Sequence, residues 1–440
     1  MAAGESLDPR RSEEKYCVKI AVFGLWHLGC VTAACCAKYF DVIGLDFDVA
    51  NVDRLRQGLA PIFEPGLNES IASGLATGKL SFTTDPKIAC ADADVLWLTH
   101  DTPVGEDDKP DPAPVLADLR SAIPFLRKGA LVLISSQLPA GTCDRLAKEF
   151  TGHHFAYSPE NLRLGKALDA FEKADRVVVG IRDGTDKSLL EELFSRFTSR
   201  ILFMGATSAE MVKHALNSFL ALSVTFINEI ARLCEHVGAD AREVASGLKS
   251  EPRIGQKAYL SPGGPFAGGT LARDVVSLVD LAAVKQEPVS IIPAIKESND
   301  RHRNWAFKRL RSILGNLEGK EIAILGLTYT PNTSTLRRSW AVELCRNLLA
   351  DLATVRAYDP AVKQLPEELN RIHVATGVEE AVSKADAAVV CTEWPQFRQA
   401  EWSRLIAQMR RALVLDPNGF LENELKNLGE LEHLSVGHRR

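Results

Sequence analysis

One pattern constrains this 440-residue chain more than any other, and it occurs twice: a short apolar run that halts at a glycine. The first copy is Val18-Lys-Ile-Ala-Val-Phe-Gly24, followed by an apolar helical run from Cys30 to Phe40 and a second strand, Asp41-Val-Ile-Gly-Leu-Asp46. Further apolar runs lie at Ala93–Leu98 and Gly129–Ser135. The second copy is Lys320-Glu-Ile-Ala-Ile-Leu-Gly326, with later runs at Ala353–Asp359, Ala387–Thr392 and Ala412–Asp416. Strands that are apolar throughout and alternate with helices belong in parallel sheets covered on both faces. Between the copies the period is helical. From Ser208 to Arg253, residues Val212, Leu216, Leu220, Val224, Ile227 and Ile230 recur at three- and four-residue steps. A Gly/Pro-rich loop, Ser261–Gly269, follows, and then a helical stretch from Val289 to Leu314, with Pro288 where a helix start tolerates proline. The expectation is two α/β domains joined by a helical middle.

Composition narrows the function. Hydrophobic residues at 46% and charged residues at 25% describe an ordinary globular chain. With 52 Lys and Arg against 57 Asp and Glu, no basic excess calls for nucleic acid or an anionic membrane as partner. No run approaches the roughly 20 apolar residues that a membrane helix needs. Residues 1–17 read as a flexible tail, because Met1–Lys15 lacks the apolar core of a secretory leader. The nine cysteines form no CxxC pair, which points to reduced thiols in a cytoplasmic protein, with Cys35, Cys36 and Cys234 as core fillers. His153-His154 reads as a surface pair in a loop, and no metal site is expected.

The segment Gly24-Leu25-Trp26-His27-Leu28-Gly29 follows a strand and opens a helix. A dinucleotide pyrophosphate binds such a helix N-terminus through backbone amides. Asp46 comes 22 residues after Gly24, where an acid accepts the adenosine ribose hydroxyls. A carboxylate there repels a 2′-phosphate, so the expected cofactor is NAD. Trp26 occupies the usual middle glycine, and His27 beside it serves either the pyrophosphate or loop packing.

Beyond this turn the chain reads Pro61-Ile-Phe-Glu-Pro-Gly-Leu67, Thr102-Pro103, Pro139-Ala-Gly-Thr142 and Tyr157-Ser-Pro-Glu-Asn-Leu-Arg163. It continues through Lys213-x-x-x-Asn217, Asn228-Glu229, Arg253-Ile-Gly255, Gly268-Gly269, Asp274, Gly326-Leu, Pro331-Asn-Thr333, Arg337, Asp359-Pro360 and Glu393-Trp394. In this order, these segments resemble those of the UDP-glucose/GDP-mannose dehydrogenase family. The resemblance implies two Rossmann-like parallel-sheet domains joined by a helical central dimerisation region. Residues 18–205 would bind NAD, with Thr102 and Pro103 beside it. Residues 206–315 would hold the dimer contact and the substrate loop, and 316–440 would bind the nucleotide of a nucleotide-diphosphate sugar. Arg163, Arg253, Gly268, Gly269, Thr270 and Arg337 would face that substrate, and a homodimer is implied. The implied family chemistry oxidises a C6 alcohol to a carboxylate with two NAD through a cysteine thiohemiacetal.

The sequence departs from the family where sulfur is needed. The loop Gly268-Gly-Thr-Leu-Ala-Arg-Asp274 is one residue shorter than the family's and has no cysteine. A hydroxyl such as that of Thr270 is a far weaker nucleophile without a dedicated base. Gln137 stands where the family has threonine, and Leu164 where it has a second glutamate. Lys213 and Asn217 remain, one helical turn apart, to take the carbinol proton and bind its oxygen, with Glu160 and Asp274 to orient them; the bland alternative is a solvated helix face. At the nucleotide end two cations are replaced, by Tyr329-Thr330 and by Asn418, so the base and sugar stay open. The expected outcome is transient oxidation and epimerisation, at C4 of a nucleotide-linked hexose or heptose. The alternatives are net 6-dehydrogenation to aldehyde or uronate, and an inactive paralogue that binds NAD or nucleotide sugar.

Overall fold

The computed structural model describes residues 17–105, 107–160, 162, 164–182, 184–267 and 269–439. The tail expected at 1–17 therefore lies outside the described residues apart from Cys17. The chain forms two compact units. The first runs to Pro103 and resumes over Asp111–Val212; the second comprises Val104–Pro110 and everything from Lys213 onward.

The first unit is built on eight strands: β1 (Lys19–Phe23), β2 (Asp41–Leu45), β3 (Leu80–Thr83), β4 (Val95–Leu98), β5 (Leu131–Ile134), β6 (His154–Tyr157), β7 (Val177–Ile181) and β8 (Ile201–Gly205). Their order is β3-β2-β1-β4-β5-β6-β7-β8. Only β6 and β7 pair antiparallel among them, at Tyr157 and Gly180. The continuous apolar runs are explained by burial on both faces. Ile20, Val22, Val95, Trp97, Leu131 and Leu133 pack into one core, and Ala21, Phe23, Leu96, Leu98, Val132 and Ile134 into another. Each fully buried Leu, Ile or Phe contributes roughly 1.5–3 kcal/mol. His154 opens β6 rather than lying in a loop, and is exposed, whereas His153 is half-buried.

The second unit carries seven strands: β9 (Glu321–Leu325), β10 (Thr354–Tyr358), β11 (His373–Val374), β12 (Ala387–Val390), β13 (Leu413–Leu415), β14 (Glu432–Ser435) and β15 (His438–Arg439). Their order is β11-β10-β9-β12-β13-β14-β15, with β15 antiparallel to β14. In each sheet the strand order reverses beside the first strand, at β1/β4 and at β9/β12. Open parallel sheets place ligands at such switch points.

The long helix Ala206–Val237 starts in the first unit and runs on into the second. It stops at Gly238, whose φ of +75° suits only glycine at low cost. Asp240 then caps Ala241–Ser250 by accepting from the Arg242 amide. The single helical stretch expected over Val289–Leu314 is two helices, Ile291–Arg303 and Trp305–Leu314, divided at Asn304. Thr270–Lys285 completes the central set.

Candidate functional site

The candidate residues fall in both units. In the first unit, Gly24 has φ +99°, and a Cβ on it would sit 2.5 Å from His100 Nδ1. A Cβ on Gly29 would meet the Gly24 carbonyl oxygen at 1.8 Å. Both glycines are thus required for strand and helix to meet so closely. The helix His27–Cys36 has no side-chain bond from its N-cap residue Trp26, which leaves its first-turn amides to a phosphate. Asp46 is half-buried and binds the Leu25 amide through Oδ2 at 2.7 Å and the Asp48 amide through Oδ1 at 2.9 Å. Each carboxylate oxygen keeps acceptor capacity for a ribose hydroxyl. The turn therefore fits a dinucleotide. Trp26 is 47% exposed beside it, while Leu28 is core, 7% exposed, and offers only its backbone.

Sequence reasoning missed Glu64. This buried carboxylate receives His27 Nε2 at 2.9 Å, the Gly165 amide at 2.8 Å and the Ala167 amide at 2.9 Å. His27 is thereby tied through Nε2 to the Pro61–Leu67 segment. Glu64 also fixes the backbone just after Arg163; Arg163 itself, like Gly268, lies outside the described residues. Thr102 is buried and donates Oγ1 to the Gln137 carbonyl at 2.7 Å, with Pro103 exposed next to it. Gln137 is 8% exposed. Glu160 is half-buried and accepts from the Leu162 amide at 2.8 Å. Glu210, also missed, holds the Pro139–Thr142 turn through the Gly141 amide at 2.5 Å and the Cys143 amide at 2.9 Å. Burial pushes its carboxyl above the ordinary value, against the pull of those two amides.

In the second unit, Lys213 and Asn217 are 4% and 5% exposed, so the solvated-face reading fails. Asp274 is fully buried, and its two oxygens are shared: Oδ1 meets His214 Nδ1 at 2.6 Å, and Oδ2 meets Asn217 Nδ2 at 2.6 Å. One amide hydrogen of Asn217, expected to bind the carbinol oxygen, is thus spent on Asp274. Its second amide hydrogen and Oδ1 are the groups left to a ligand. Thr270 is exposed and starts the helix that carries Asp274. Gly269 has φ +100° and donates its amide to Asp108 Oδ1 at 3.2 Å. Arg337, expected at the substrate, donates to the Val104 carbonyl at 3.0 Å. Arg253 is a surface residue bonded to Glu251 at 2.8 Å. The Gly/Pro loop before Gly269 is pinned by Asn228 on the Gly263 amide, Asn418 on the Gly264 amide and Asn299 on both polar groups of the Phe266 backbone. His302 Nε2 donates to the Gly263 carbonyl at 2.7 Å; burial lowers its pKa to about 4, the nearby Arg232 adding to the effect.

Eight of the nine cysteines are buried, Cys17 being the exception. Burial raises the thiols of Cys30, Cys36, Cys143 and Cys391, and those of Cys90 and Cys345 to about 12. Only a thiolate is an effective nucleophile.

Sequence profiles of the UDP-glucose/GDP-mannose dehydrogenase family match three segments: its NAD binding domain at residues 18–198, its central domain at 207–301 and its UDP binding domain at 323–423. A UDP-glucose 6-dehydrogenase of Rhizobium meliloti is 34% identical over 436 residues, spanning 96% of this chain and 99% of that protein. UDP-glucose 6-dehydrogenase TuaD of Bacillus subtilis is 30% identical, spanning 95% and 93%. Among solved structures, a UDP-glucose dehydrogenase from Pyrobaculum islandicum superposes with a TM-score of 0.86 at 29% identity, covering 98% of this chain and all of that one.

Proposed function

The chain belongs to the UDP-glucose/GDP-mannose dehydrogenase family, and from that premise we propose that it epimerises a carbinol of a nucleotide-diphosphate sugar by transient oxidation. As a member it is an NAD-dependent nucleotide-sugar oxidoreductase. One observation carries the finer reading: the amine, amide and carboxylate of Lys213, Asn217 and Asp274 are kept, while the loop that leads to them has Thr270 and no thiol.

The Gly24–Gly29 turn and Asp46 would hold NAD, which when bound would supply a reversible hydride acceptor. Lys213 takes the hydroxyl proton as the carbon flattens to a ketone, and returns it when the carbon is reduced on its other face. Asn217 steadies the oxygen with its remaining amide hydrogen. Asp274 holds that amide in place. No acyl–sulfur stage and no hydrolytic water enter this cycle. A second reading, net oxidation at C6, is favoured by the names of the 34% and 30% identical relatives.

A homodimer belongs to the same proposal. Phe219, Phe226 and Leu233 are 65%, 46% and 62% exposed at seven-residue steps along Ala206–Val237, an apolar stripe suited to a second copy. The nine free thiols support a reducing, cytoplasmic setting. The test is to incubate UDP-, GDP- and dTDP-hexoses with the protein and NAD, following absorbance at 340 nm alongside product NMR. An inverted ring carbon without accumulating NADH is expected. Uronate with stoichiometric NADH would establish the second reading, and NAD binding without any turnover would mark an inactive paralogue.

A further inference from the structure

His214 has no role in the scheme above, yet it is built into the same cluster. It is 4% exposed, and its Nδ1 lies 2.6 Å from an Asp274 oxygen. The other oxygen of that carboxylate takes Asn217 Nδ2 at the same distance. A carboxylate with no exposed surface persists only when donors satisfy it. On a helix that turns about 100° per residue, Lys213, Asn217 and His214 fall within one arc of about 100°, with Asn217 in the middle. Asp274 therefore bridges the outer histidine and the central amide. If the histidine donor is removed, the carboxylate is free to rotate and the Asn217 amide turns with it.

We propose that His214 is a positioning residue for the carbinol reaction: it clamps Asp274, and Asp274 in turn fixes the plane of the Asn217 amide one turn from Lys213. The inference rests on the hydride-transfer reading for its kinetic consequence, but the clamp itself is a property of the protein without substrate.

The variants that isolate it are His214→Asn and His214→Gln. Asparagine places its amide near the position of Nδ1, so it can still donate to Asp274. Glutamine places its amide near Nε2 and cannot reach in the same way. Both are polar, which limits the risk of misfolding. With NAD and whichever UDP-, GDP- or dTDP-hexose the wild type turns over, His214→Asn should keep kcat within about 3-fold, whereas His214→Gln should lose about 10- to 100-fold in kcat with KM little changed. Without substrate, the side-chain amide NMR signals of Asn217 should stay in place in His214→Asn and move in His214→Gln. Equal effects of the two variants on those signals would overturn the clamp. If the wild type turns over no sugar, the hydride reading fails, and the clamp stands or falls on the Asn217 signals alone.

Discussion

The two sheets make the same turn and put it to different uses. In the first, the Gly24 amide bonds the Leu45 carbonyl at 2.9 Å and the Leu25 amide bonds Asp46 at 2.7 Å. In the second, the Gly326 amide bonds the Tyr358 carbonyl at 2.8 Å and the Leu327 amide bonds Asp359 at 2.7 Å. The acids then diverge. Asp46 is half-buried and takes one further amide, from Asp48. Asp359 is 3% exposed and also takes the Thr328 amide and hydroxyl, Trp394 Nε1 and the Ala361 amide. A helix opens three residues after Gly24, whereas none starts between Gly326 and Trp340. The first turn offers an acid and a helix end to a dinucleotide. The second has closed its acid into the fold, so a repeated strand–glycine–acid pattern does not mean a repeated cofactor site.

Exchanging the two acids for alanine should produce crossed phenotypes. Asp359→Ala leaves buried amide, hydroxyl and indole donors unsatisfied, and should cost about 3–5 kcal/mol of stability in chemical denaturation. The fraction that remains folded should bind NAD as before. An equal loss of NAD affinity in that fraction would break the contrast.

Acid should sharpen it, because the second unit carries His302. Unfolded, that imidazole takes a proton near the ordinary value of about 6.5; folded, it stays neutral down to about 4. Between these values the unfolded state binds more protons, so stability falls as pH drops, by up to about 3 kcal/mol. Denaturation midpoints at pH 7, 5.5 and 4.5 should show this slope in the wild type and a shallower one in His302→Gln.

Asp46→Ala should leave the unfolding midpoint nearly unchanged and raise the NAD dissociation constant by roughly 10- to 100-fold in calorimetry, the range for lost hydrogen bonds to a charge. The smallest effect is expected at Trp26→Gly. Trp26 is exposed, so stability should shift by less than about 1 kcal/mol, while closer backbone approach to the pyrophosphate tightens NAD several-fold.

The dinucleotide turn was legible because its signal is local: strand, glycine, helix and acid fall within 23 residues, Gly24 to Asp46. The buried strands were legible for a related reason, since burial on both faces leaves no polar alternation to confuse. What escaped is long-range. Glu64 joins the Gly165 and Ala167 amides across 101 and 103 residues, and His214 meets Asp274 across 60. No spacing rule links such positions. The antiparallel β6–β7 pair escaped too, because strand direction is not written in the apolar runs. Arg337 adds a further case: its bond to the Val104 carbonyl spans 233 residues, and its match to a family position gave no sign of it.

In the proposed function, carbinol chemistry is kept without the covalent sulfur stage. Intact-protein mass spectrometry during turnover of NAD with the active nucleotide sugar tests it most directly. An unmodified polypeptide mass is expected at every time point, with the sugar inverted at one carbon. A sugar-acyl adduct on any of the nine cysteines, appearing and decaying with two NADH per sugar, would contradict it.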